Sequence, residues 1–580
     1  MASSPFKVRR ISDVGLPETS VRKATRAALE LHADLVENCK TCPKPVWFTA
    51  FFDGTGNNFT VDGFGQVDPK QVKYSNVAKL AQFAHCKNAP SSRTAFQYIE
   101  GVGTPCNKEG VSDSGKGMDN TLGMSAAAKG EARIRWMMRE LKKHVDQHMP
   151  FVNQINIAVF GFSRGATQAR AFVRMLGEEM GAWDGQSLLW NQAGLDGKHP
   201  RVVVYFLGIF DTVSSTGFGG SKGETVAKYV APAAATVLLP GGIVIGPAAG
   251  GVLHEIDEGG HAAWAHDLTI TPYVDRCVHF VAGHEVREKF PSDSIRRNKD
   301  LPANSVELVY PGMHSDVGGG YGWASPSYQE GRSNELARIP LCHMFIEAYK
   351  AGVPLDPPDA VLKRAGTLFD ISEELERTYW TYMGPAPSWA MESLETAVVW
   401  HMQHYYEWRE SRRRRLNDGR LKIAVQDKYM EMTDKDWADD VQNIAESQTG
   451  YFRSQIGVQQ HAIYDAYKHK LMDTMKPQER ADFDLFFDRY VHDSIAGFKQ
   501  QMIEAWTGLR VVEASRWSIN RKYFMGKRGK RFLYWRYESD GTAYAGVRFD
   551  DNDVDENYDS EEARRARQGA LEAREFQWTR

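Results

Sequence analysis

The feature of this 580-residue sequence that most restricts its fold is an alternation of apolar, β-rich runs with helical stretches. Helical patterns such as Ala126 to Val145 and Arg164 to Met180 separate several of the runs. Buried strands alternating with helices are typical of a mostly parallel sheet with helices on both faces. The five β-rich runs are Val46 to Phe52, Ile155 to Phe160, Val202 to Phe210, Val278 to Ala282 and Val306 to Tyr310. The sequence therefore predicts an α/β fold over residues 46–356.

The remainder of the chain has a different pattern. Residues 1–45 are predicted to be a polar lead-in with one helix, and the β signals fade after Pro357. We therefore expect residues 357–580 to form a mainly helical module, or a cap over the α/β body, with a β-hairpin around Asp540-Gly541 and an acidic tail. The predicted helices outside the α/β body are Ser20 to Asn38, Leu362 to Arg377, Glu395 to Arg415 and Asp434 to Met475.

An apolar segment, residues 229–253, lies inside a predicted insert at residues 215–268 and contains no charged residue. Its length would suit a membrane span, but three prolines and five glycines interrupt any continuous helix. Two interpretations remain open: a lid or hairpin that closes over a site or dips into lipid, and a hairpin buried in the core.

Charge and cysteine content exclude several classes of protein. The formal net charge of −3 gives no global field for nucleic acid. Six scattered cysteines are too few for a disulfide scaffold, although Cys39 and Cys42 form one CxxC.

The basic run Arg412 to Arg415 is expected to be a solvated face rather than a docking site. The N-terminus lacks the apolar core of a secretory signal, so we expect no export by the general route.

A candidate nucleophile, Ser163, lies in Gly161-Phe162-Ser163-Arg164-Gly165. In α/β hydrolases the nucleophile sits on a sharp turn between a strand and a helix, and small residues two positions away on each side avoid a clash. Here a strand-like run precedes the serine and a helical run follows it. The alternative is a small residue in a glycine-rich bend.

A serine nucleophile needs a histidine base and an orienting acid, in the chain order Ser, Asp or Glu, His. Asp211 ends the strand Val202 to Phe210, and His314 follows the strand Val306 to Tyr310. Both would lie on the edge of the sheet that carries Ser163. The competing acids are Asp275, Glu285 and Asp316, and the competing base is His284.

An oxyanion hole would use the backbone N–H of Arg164 and an N–H from a loop after an earlier strand. The stretch FFDGTGNN supplies that loop through Gly54 and Thr55, where Asp53 either orients the loop or caps the turn. No lysine followed by serine or threonine comes after these glycines, which argues against a phosphate-binding loop.

Four motifs in this order, FFDGTGNN, GFSRGA, FDTV and HSDVGGGY, resemble the antibacterial lipase effectors of type VI secretion, and most closely the first of those lipase families. The resemblance covers about Val46 to Tyr349. It implies Ser163 as nucleophile, Asp211 as orienting acid and His314 as base. The apolar insert departs from the compact form expected after FDTV.

The resemblance also implies phospholipase activity at the sn-1 or sn-2 ester, in the periplasm of a target bacterium. It further implies loading onto a spike protein and neutralisation by a cognate immunity protein. Three alternatives remain: an esterase or peptidase acting on small or soluble substrates, a non-catalytic secretion cargo or adaptor, and a membrane-permeabilising toxin. We expect no cofactor and no metal, since the spacing of His254, His261, His266 and Asp267 matches no metal template.

Overall fold

Strands and helices alternate along the first part of the chain. The computed structural model describes residues 6–13, 43–63, 72–84, 92–115, 123–195, 197–214, 263–265, 267–285, 290, 292–296, 300–321, 333–388, 394–421 and 474–494, and the backbone alone of 532–537 and 543–548. The strands in these ranges are β1 (Lys44–Phe52), β2 (Thr94–Ile99), β3 (Pro105–Lys108), β4 (Val111–Ser114), β5 (Val152–Phe162), β6 (Gly181–Trp183), β7 (Leu188–Trp190), β8 (Arg201–Phe210), β9 (Cys277–Ala282), β10 (Ser292–Asp293), β11 (Ser305–Tyr310), β12 (Phe532–Tyr537) and β13 (Ala543–Arg548). The α-helices are α1 (Asn76–Ala81), α2 (Gly123–Asp146), α3 (Arg164–Met175), α4 (His314–Gly318), α5 (Arg338–Lys350), α6 (Pro358–Arg364), α7 (Glu373–Met383), α8 (Leu394–Asn417) and α9 (Pro477–Arg489).

The central sheet follows the order β11-β9-β8-β5-β1-β2. Every pair along this path is parallel, while β6 and β7 form an antiparallel extension beside the start of β8. Because the strands are parallel, their carboxyl ends meet at one edge of the sheet. This edge is where ligands bind in open α/β sheets.

Both faces of the sheet are covered, as the alternation of strand residues shows. In β5, Phe160 and Phe162 belong to one buried cluster, while Ile157 and Val159 belong to another on the opposite face. Successive side chains of a strand point to opposite faces, so a strand buried on both faces has to be apolar throughout. The fold is α/β and α/β-hydrolase-like: a mostly parallel sheet with helices on both faces, followed by a helical C-terminal region.

The five predicted strands are confirmed as β1, β5, β8, β9 and β11. The sequence does not predict β2, an edge strand whose one partner among the described strands is β1. Five of its six residues are only half-buried, so it has no continuous apolar run. An edge strand with one partner needs less burial than a central strand, and its sequence pattern is correspondingly weak.

The predicted helices Ala126 to Val145 and Glu395 to Arg415 are confirmed as α2 and α8. The prediction of one helix over Leu362 to Arg377 is wrong. Helix α6 ends at Arg364, Gly366 has a φ of 54°, and α7 begins after Ser372. The Ser372 hydroxyl accepts a hydrogen bond from the Leu375 N–H, which is the usual N-cap. Gly366, in the left-handed region, therefore separates the two helices, and the cap of Ser372 begins the second one.

The C-terminal helices share a hydrophobic core with the sheet. Trp400 of α8 and Phe487 of α9 belong to the same buried cluster as Phe280 and Val309 of β9 and β11. The lead-in also reaches this core, since Phe6 is 3% exposed and belongs to the same cluster. The described C-terminal helices therefore cover the α/β body rather than stand apart from it.

The sequence predicts that the basic run on α8 is a solvated face, and this is wrong for two of its four arginines. Arg412 and Arg415 form ion pairs with Asp488 of α9, at 3.1 and 2.5 Å. Burial favours the neutral form of Asp488, but the hydrogen bond and charge of Arg415 outweigh it and hold its pKa below the usual range. The run joins two helices.

A small antiparallel sheet lies at the C-terminal end, where β12 and β13 pair with each other and β13 pairs with β10. These strands occupy the predicted hairpin around residues 540–541. No helix within the described ranges is both long and apolar enough to cross a membrane. Several predictions lie outside the described residues: the helices Ser20 to Asn38 and Asp434 to Met475, the segment 229–253, the CxxC of Cys39 and Cys42, and His254, His261 and His266.

Candidate active site

Ser163 lies between the end of β5 and the start of α3, at the carboxyl edge of the sheet. Its φ of 58° places a non-glycine residue in the left-handed region, a strained conformation that persists only where the surrounding structure holds it. The Ser163 N–H donates to the carbonyl oxygen of Phe210 at 3.0 Å, and the Ser163 carbonyl accepts from Val213 at 3.2 Å. The strained serine is therefore fixed to the strand end that carries Asp211.

The glycines on either side of Ser163 have no room for a side chain. A Cβ on Gly161 would lie 2.5 Å from the Cα of Ala166. A Cβ on Gly165 would overlap the carbonyl oxygens of Phe52 and Asp53. The close contact at Gly165 also places the loop that follows β1 directly against the turn of Ser163.

Asp211 and His314 form a buried pair. The Asp211 Oδ2 lies 2.6 Å from the His314 Nδ1, and the Asp211 Oδ1 accepts the N–H of Ala282 at 3.0 Å. Asp211 is fully buried and His314 is 4% exposed. A carboxylate on Nδ1 fixes the ring orientation and leaves Nε2 as the proton acceptor, as general base catalysis requires. The two residues are 103 positions apart in the chain.

A second buried network holds the backbone next to Asp211, whose φ is 35°. The Thr212 N–H donates to the His279 Nε2 at 3.2 Å, and the His279 Nδ1 contacts the Glu307 carboxylate at 2.9 Å. Burial alone would raise the pKa of Glu307, but the hydrogen bond from His279 and the charge nearby hold it below its usual range. These residues fix the strand end where Asp211 lies. Neither His279 nor Glu307 is predicted from the sequence, because their pairing joins residues 28 positions apart and has no local signal.

Two of the competing acids support the His314 loop. Glu285 accepts the His314 N–H at 3.1 Å, and Asp316 accepts the Met313 N–H at 2.9 Å. The carboxylate that contacts the His314 Nδ1 is that of Asp211, so these two acids hold backbone N–H groups instead. Asp275 is exposed and lies just before β9, at the opposite edge of the sheet.

The competing base, His284, already uses both ring nitrogens. Its Nδ1 accepts the Gly312 N–H at 2.8 Å, and its Nε2 lies 2.9 Å from the Tyr382 hydroxyl. The same hydroxyl lies 2.7 Å from the His401 Nδ1. Burial lowers the pKa of His284 well below its ordinary value. His284 is thus a neutral member of a structural hydrogen-bond chain.

The candidate oxyanion-hole residues lie on two elements that contact each other. Arg164 is the first residue of α3, where the backbone N–H groups lack intrahelical partners. On the facing loop, the Gly54 N–H donates to its neighbour Asp53, at 2.7 Å from Oδ1. An oxyanion would therefore have to share the Gly54 N–H with Asp53. The Thr55 N–H makes no hydrogen bond within the described residues.

Asp53 orients this loop by hydrogen bonding. Its Oδ1 accepts from the Ser75 hydroxyl, and its Oδ2 accepts from the Tyr98 hydroxyl, both at 2.5 Å. Burial outweighs these hydrogen bonds and that of Gly54, and raises the pKa of Asp53 to about 7. The carboxyl is held between α1 and β2 and fixes where Gly54 and Thr55 lie.

No group of three or more histidine, cysteine or acidic side chains within the described ranges is arranged to hold a metal ion. The sequence places Asp267 in a group with His254, His261 and His266, and Asp267 is the one of these four that the structure describes. It accepts hydrogen bonds from the N–H and hydroxyl of Thr269.

The parallel sheet, with Ser163, Asp211 and His314 at its carboxyl edge, defines an α/β-hydrolase-like protein. The family model for the catalytic domain of Tle1-like T6SS phospholipase effectors matches residues 48–187 and 183–347, just over half of the chain. The chain belongs to this family of type VI secretion phospholipase effectors.

Comparison with curated proteins gives no match. Among solved structures, the chain is similar to an uncharacterized protein from Pseudomonas aeruginosa, with 22% identity and a TM-score of 0.48 over 84% of this chain and 69% of that chain. It is also similar to the Tle1 effector bound to the VgrG spike from the type 6 secretion system. That similarity has 17% identity and a TM-score of 0.35 over 59% of this chain and 79% of that chain.

Proposed function

We propose that this protein is a serine-dependent phospholipase of the A1 or A2 type, which hydrolyses fatty acyl esters of membrane phospholipids. The 2.6 Å contact between Asp211 and His314, beside a serine on a strained strand-to-helix turn, carries the proposal. Membership of a phospholipase effector family supports the substrate class.

In this proposal the Ser163 hydroxyl attacks the ester carbonyl while the His314 Nε2 takes its proton. Asp211 keeps the proton of neutral His314 on Nδ1 and stabilises the imidazolium that forms. The tetrahedral intermediate collapses when His314 returns the proton to the departing lysophospholipid oxygen. Water activated by His314 then attacks the acyl-enzyme, so that fatty acid and free Ser163 are released.

The backbone N–H groups of Arg164 and Thr55 are proposed to bind the oxyanion, with Gly54 sharing its N–H. Donors fixed before the reaction stabilise developing charge without reorganising. The hydrogen bonds of Asp53 to Ser75 and Tyr98 hold the loop in place.

We further propose that the protein acts as an antibacterial effector in the periplasm of target cells. Family membership implies the type VI apparatus as the route, so a spike protein is the expected delivery partner. A producer that makes a phospholipase toxin needs protection, and we expect a cognate immunity protein. Directing the protein to the periplasm of a test bacterium should be toxic, and the Ser163→Ala protein should not be.

The decisive experiment measures fatty acid release from phospholipids labelled separately at the sn-1 and sn-2 positions. Wild type should release label from one position or both, and Ser163→Ala should lower the rate at least about 1,000-fold. Ser112→Ala, which changes an exposed serine on β4, is the matched control and should keep full activity.

Wild-type release that persists in Ser163→Ala would overturn the serine mechanism. Cleavage of short soluble esters without cleavage of phospholipid would favour a carboxylesterase. No release from either protein, under conditions where a control lipase works, would favour a non-catalytic cargo or adaptor.

A further inference from the structure

We propose that the segment Tyr490–Ser494, which follows α9, positions the catalytic His314 through two buried residues, His492 and Ser494. The inference rests on the proposed function, because it assigns His314 as the base. Neither residue touches the reacting atoms, and both act through carboxylates that hold the His314 loop.

The first link is a second buried imidazole–carboxylate pair, His492 and Asp316. The His492 Nδ1 lies 2.7 Å from the Asp316 Oδ1, and the His492 N–H donates to Oδ2 at 3.0 Å. That same Oδ2 accepts the N–H of Met313, the residue before His314, at 2.9 Å. Asp316 therefore joins the C-terminal segment to the backbone that leads into the base.

The second link runs through Glu285, which is fully buried. Its Oε2 accepts the N–H of His314 at 3.1 Å, and its Oε1 accepts the hydroxyl of Ser494 at 2.7 Å. The Ser494 hydroxyl also lies 3.7 Å from the Met313 sulfur. A buried carboxylate needs donors to stay in place, and Ser494 supplies one of those that fix Glu285.

The ring of His492 also packs on the far end of the same loop. It stacks on Tyr321, with ring centroids 4.1 Å apart and an interplanar angle of 22°. His492 therefore contacts the stretch 313–321 at two points, one polar and one aromatic. One contact lies within α4, whose first residue is His314, and the other lies three residues beyond its end, so together they limit the movement of this stretch.

These contacts come from outside the matched catalytic domain. The family match ends at residue 347, whereas Asp316 and His492 are 176 residues apart in the chain. The described C-terminal helices thus supply part of the active-site support in addition to covering the sheet. This assigns them a function in positioning the base.

The test compares two substitutions that divide the roles of His492. His492→Phe keeps a ring to stack on Tyr321 but removes the donor to Asp316, and His492→Asn keeps a donor near the position of Nδ1. Ser494→Ala and Ser494→Thr form a second pair, without and with the hydroxyl. Arg377→Ala is the control, because it breaks the half-exposed α7–α9 ion pair to Asp482 without touching the His314 loop.

Two readouts separate positioning from loss of folded protein. The first is the rate and the final stoichiometry of Ser163 labelling by a fluorophosphonate. The second is hydrogen exchange of the peptide that contains the Met313 and His314 amides. His492→Phe and Ser494→Ala should slow labelling and lower kcat at least about 10-fold, as expected for a lost hydrogen bond to a charged group. Final stoichiometry and KM should stay near wild type, and exchange at Met313 and His314 should accelerate.

His492→Asn and Ser494→Thr should recover most of the rate, and Arg377→Ala should match wild type in both readouts. Unchanged labelling and exchange in His492→Phe and Ser494→Ala would overturn the positioning role. So would a fall in rate explained entirely by a lower labelling stoichiometry. Hydrogen exchange does not depend on catalysis. If Ser163 proves not to be the nucleophile, faster exchange in the variants still establishes the structural link, and the failure then belongs to the proposed function.

Discussion

The ring of Phe162 lies against the imidazole of His314, with centroids 4.6 Å apart and an interplanar angle of 32°. Phe162 precedes Ser163, so one buried side chain reaches from the turn of Ser163 to the imidazole of His314. Gly54 and Gly318 also approach this ring so closely that a Cβ on either would overlap it. The turn of Ser163, the loop after β1 and the loop of His314 therefore share Phe162 as a common contact.

Asp211→Asn should lower kcat by about 10,000-fold, because an amide no longer holds the His314 tautomer or stabilises the imidazolium. Phospholipid hydrolysis per folded enzyme measures the loss. Asp275→Asn is the matched control, since Asp275 lies exposed at the opposite edge of the sheet. An Asp211→Asn enzyme within 10-fold of wild type would exclude Asp211 as the orienting acid.

Gly165→Ala should destabilise the protein by about 3 kcal/mol and abolish activity, because the added methyl overlaps the carbonyl oxygens of Phe52 and Asp53. Urea unfolding and ester hydrolysis measure the two effects. Gly197→Ala provides the comparison. Gly197 has a φ of 75° with no atom near the added methyl, so this change should cost about 1 kcal/mol and leave activity intact. Equal effects of the two changes would contradict a steric requirement at Gly165.

Acid should destabilise the protein through its buried neutral histidines. Burial lowers the pKa of His401 to about 3 and that of His404 to about 4. In the unfolded chain these groups protonate near pH 6.5, so unfolding takes up protons as the pH falls below that value. Each histidine therefore removes about 1.4 kcal/mol of stability per pH unit between about pH 6 and its folded pKa. Burial also raises the pKa of four carboxyl groups, those of Asp53, Asp62, Asp275 and Asp484, which acts in the opposite direction and offsets part of this loss.

Urea midpoints between pH 7.5 and 5 test this expectation. His404→Asn removes one titrating group and keeps a donor for the Trp400 carbonyl, which the His404 Nδ1 contacts at 2.7 Å. Its stability should depend less steeply on pH than that of wild type. Parallel pH dependences for the two proteins would show that His404 is not held neutral.

Asp488→Asn should destabilise the protein by about 2 kcal/mol, because it leaves Arg412 and Arg415 without their shared carboxylate between α8 and α9. Thermal or urea unfolding measures the change. The exposed pair of Lys142 and Asp146 on α2 is the control, and Asp146→Asn should cost less than about 0.5 kcal/mol. A similar small loss in both variants would mean that the α8–α9 ion pairs do not contribute to stability.

The sequence predicts the central strands because each is a continuous apolar run buried on both faces. It predicts the surroundings of Ser163 because the glycine requirement is local, as the contacts of Gly161 and Gly165 with neighbouring backbone explain. The pairing of Asp211 with His314 follows from the fold, since Asp211 follows β8 and His314 follows β11, and both strands end at the carboxyl edge of the sheet with β9 between them. Their catalytic roles remain proposals.

Other features have no sequence signal of this kind. Strand β2 is half-buried and has little apolar pattern. Glu285 and Asp316 compete with Asp211 on sequence grounds, and only the fold shows that they hold backbone N–H groups instead. His492 and Ser494 contact residues far away in the chain, where no spacing or periodicity links them.

The separation between Asp316 and His492 has a consequence for the cell that makes this protein. A ribosome adding 5 to 20 residues per second needs roughly 10 to 35 s to go from Asp316 to His492, which are 176 residues apart. During that interval Ser163, Asp211 and His314 have all been synthesised, but His492, which contacts Asp316 on the His314 loop, has not. Under the proposed function, a nascent chain therefore lacks part of the support of its base until residue 492 has been added.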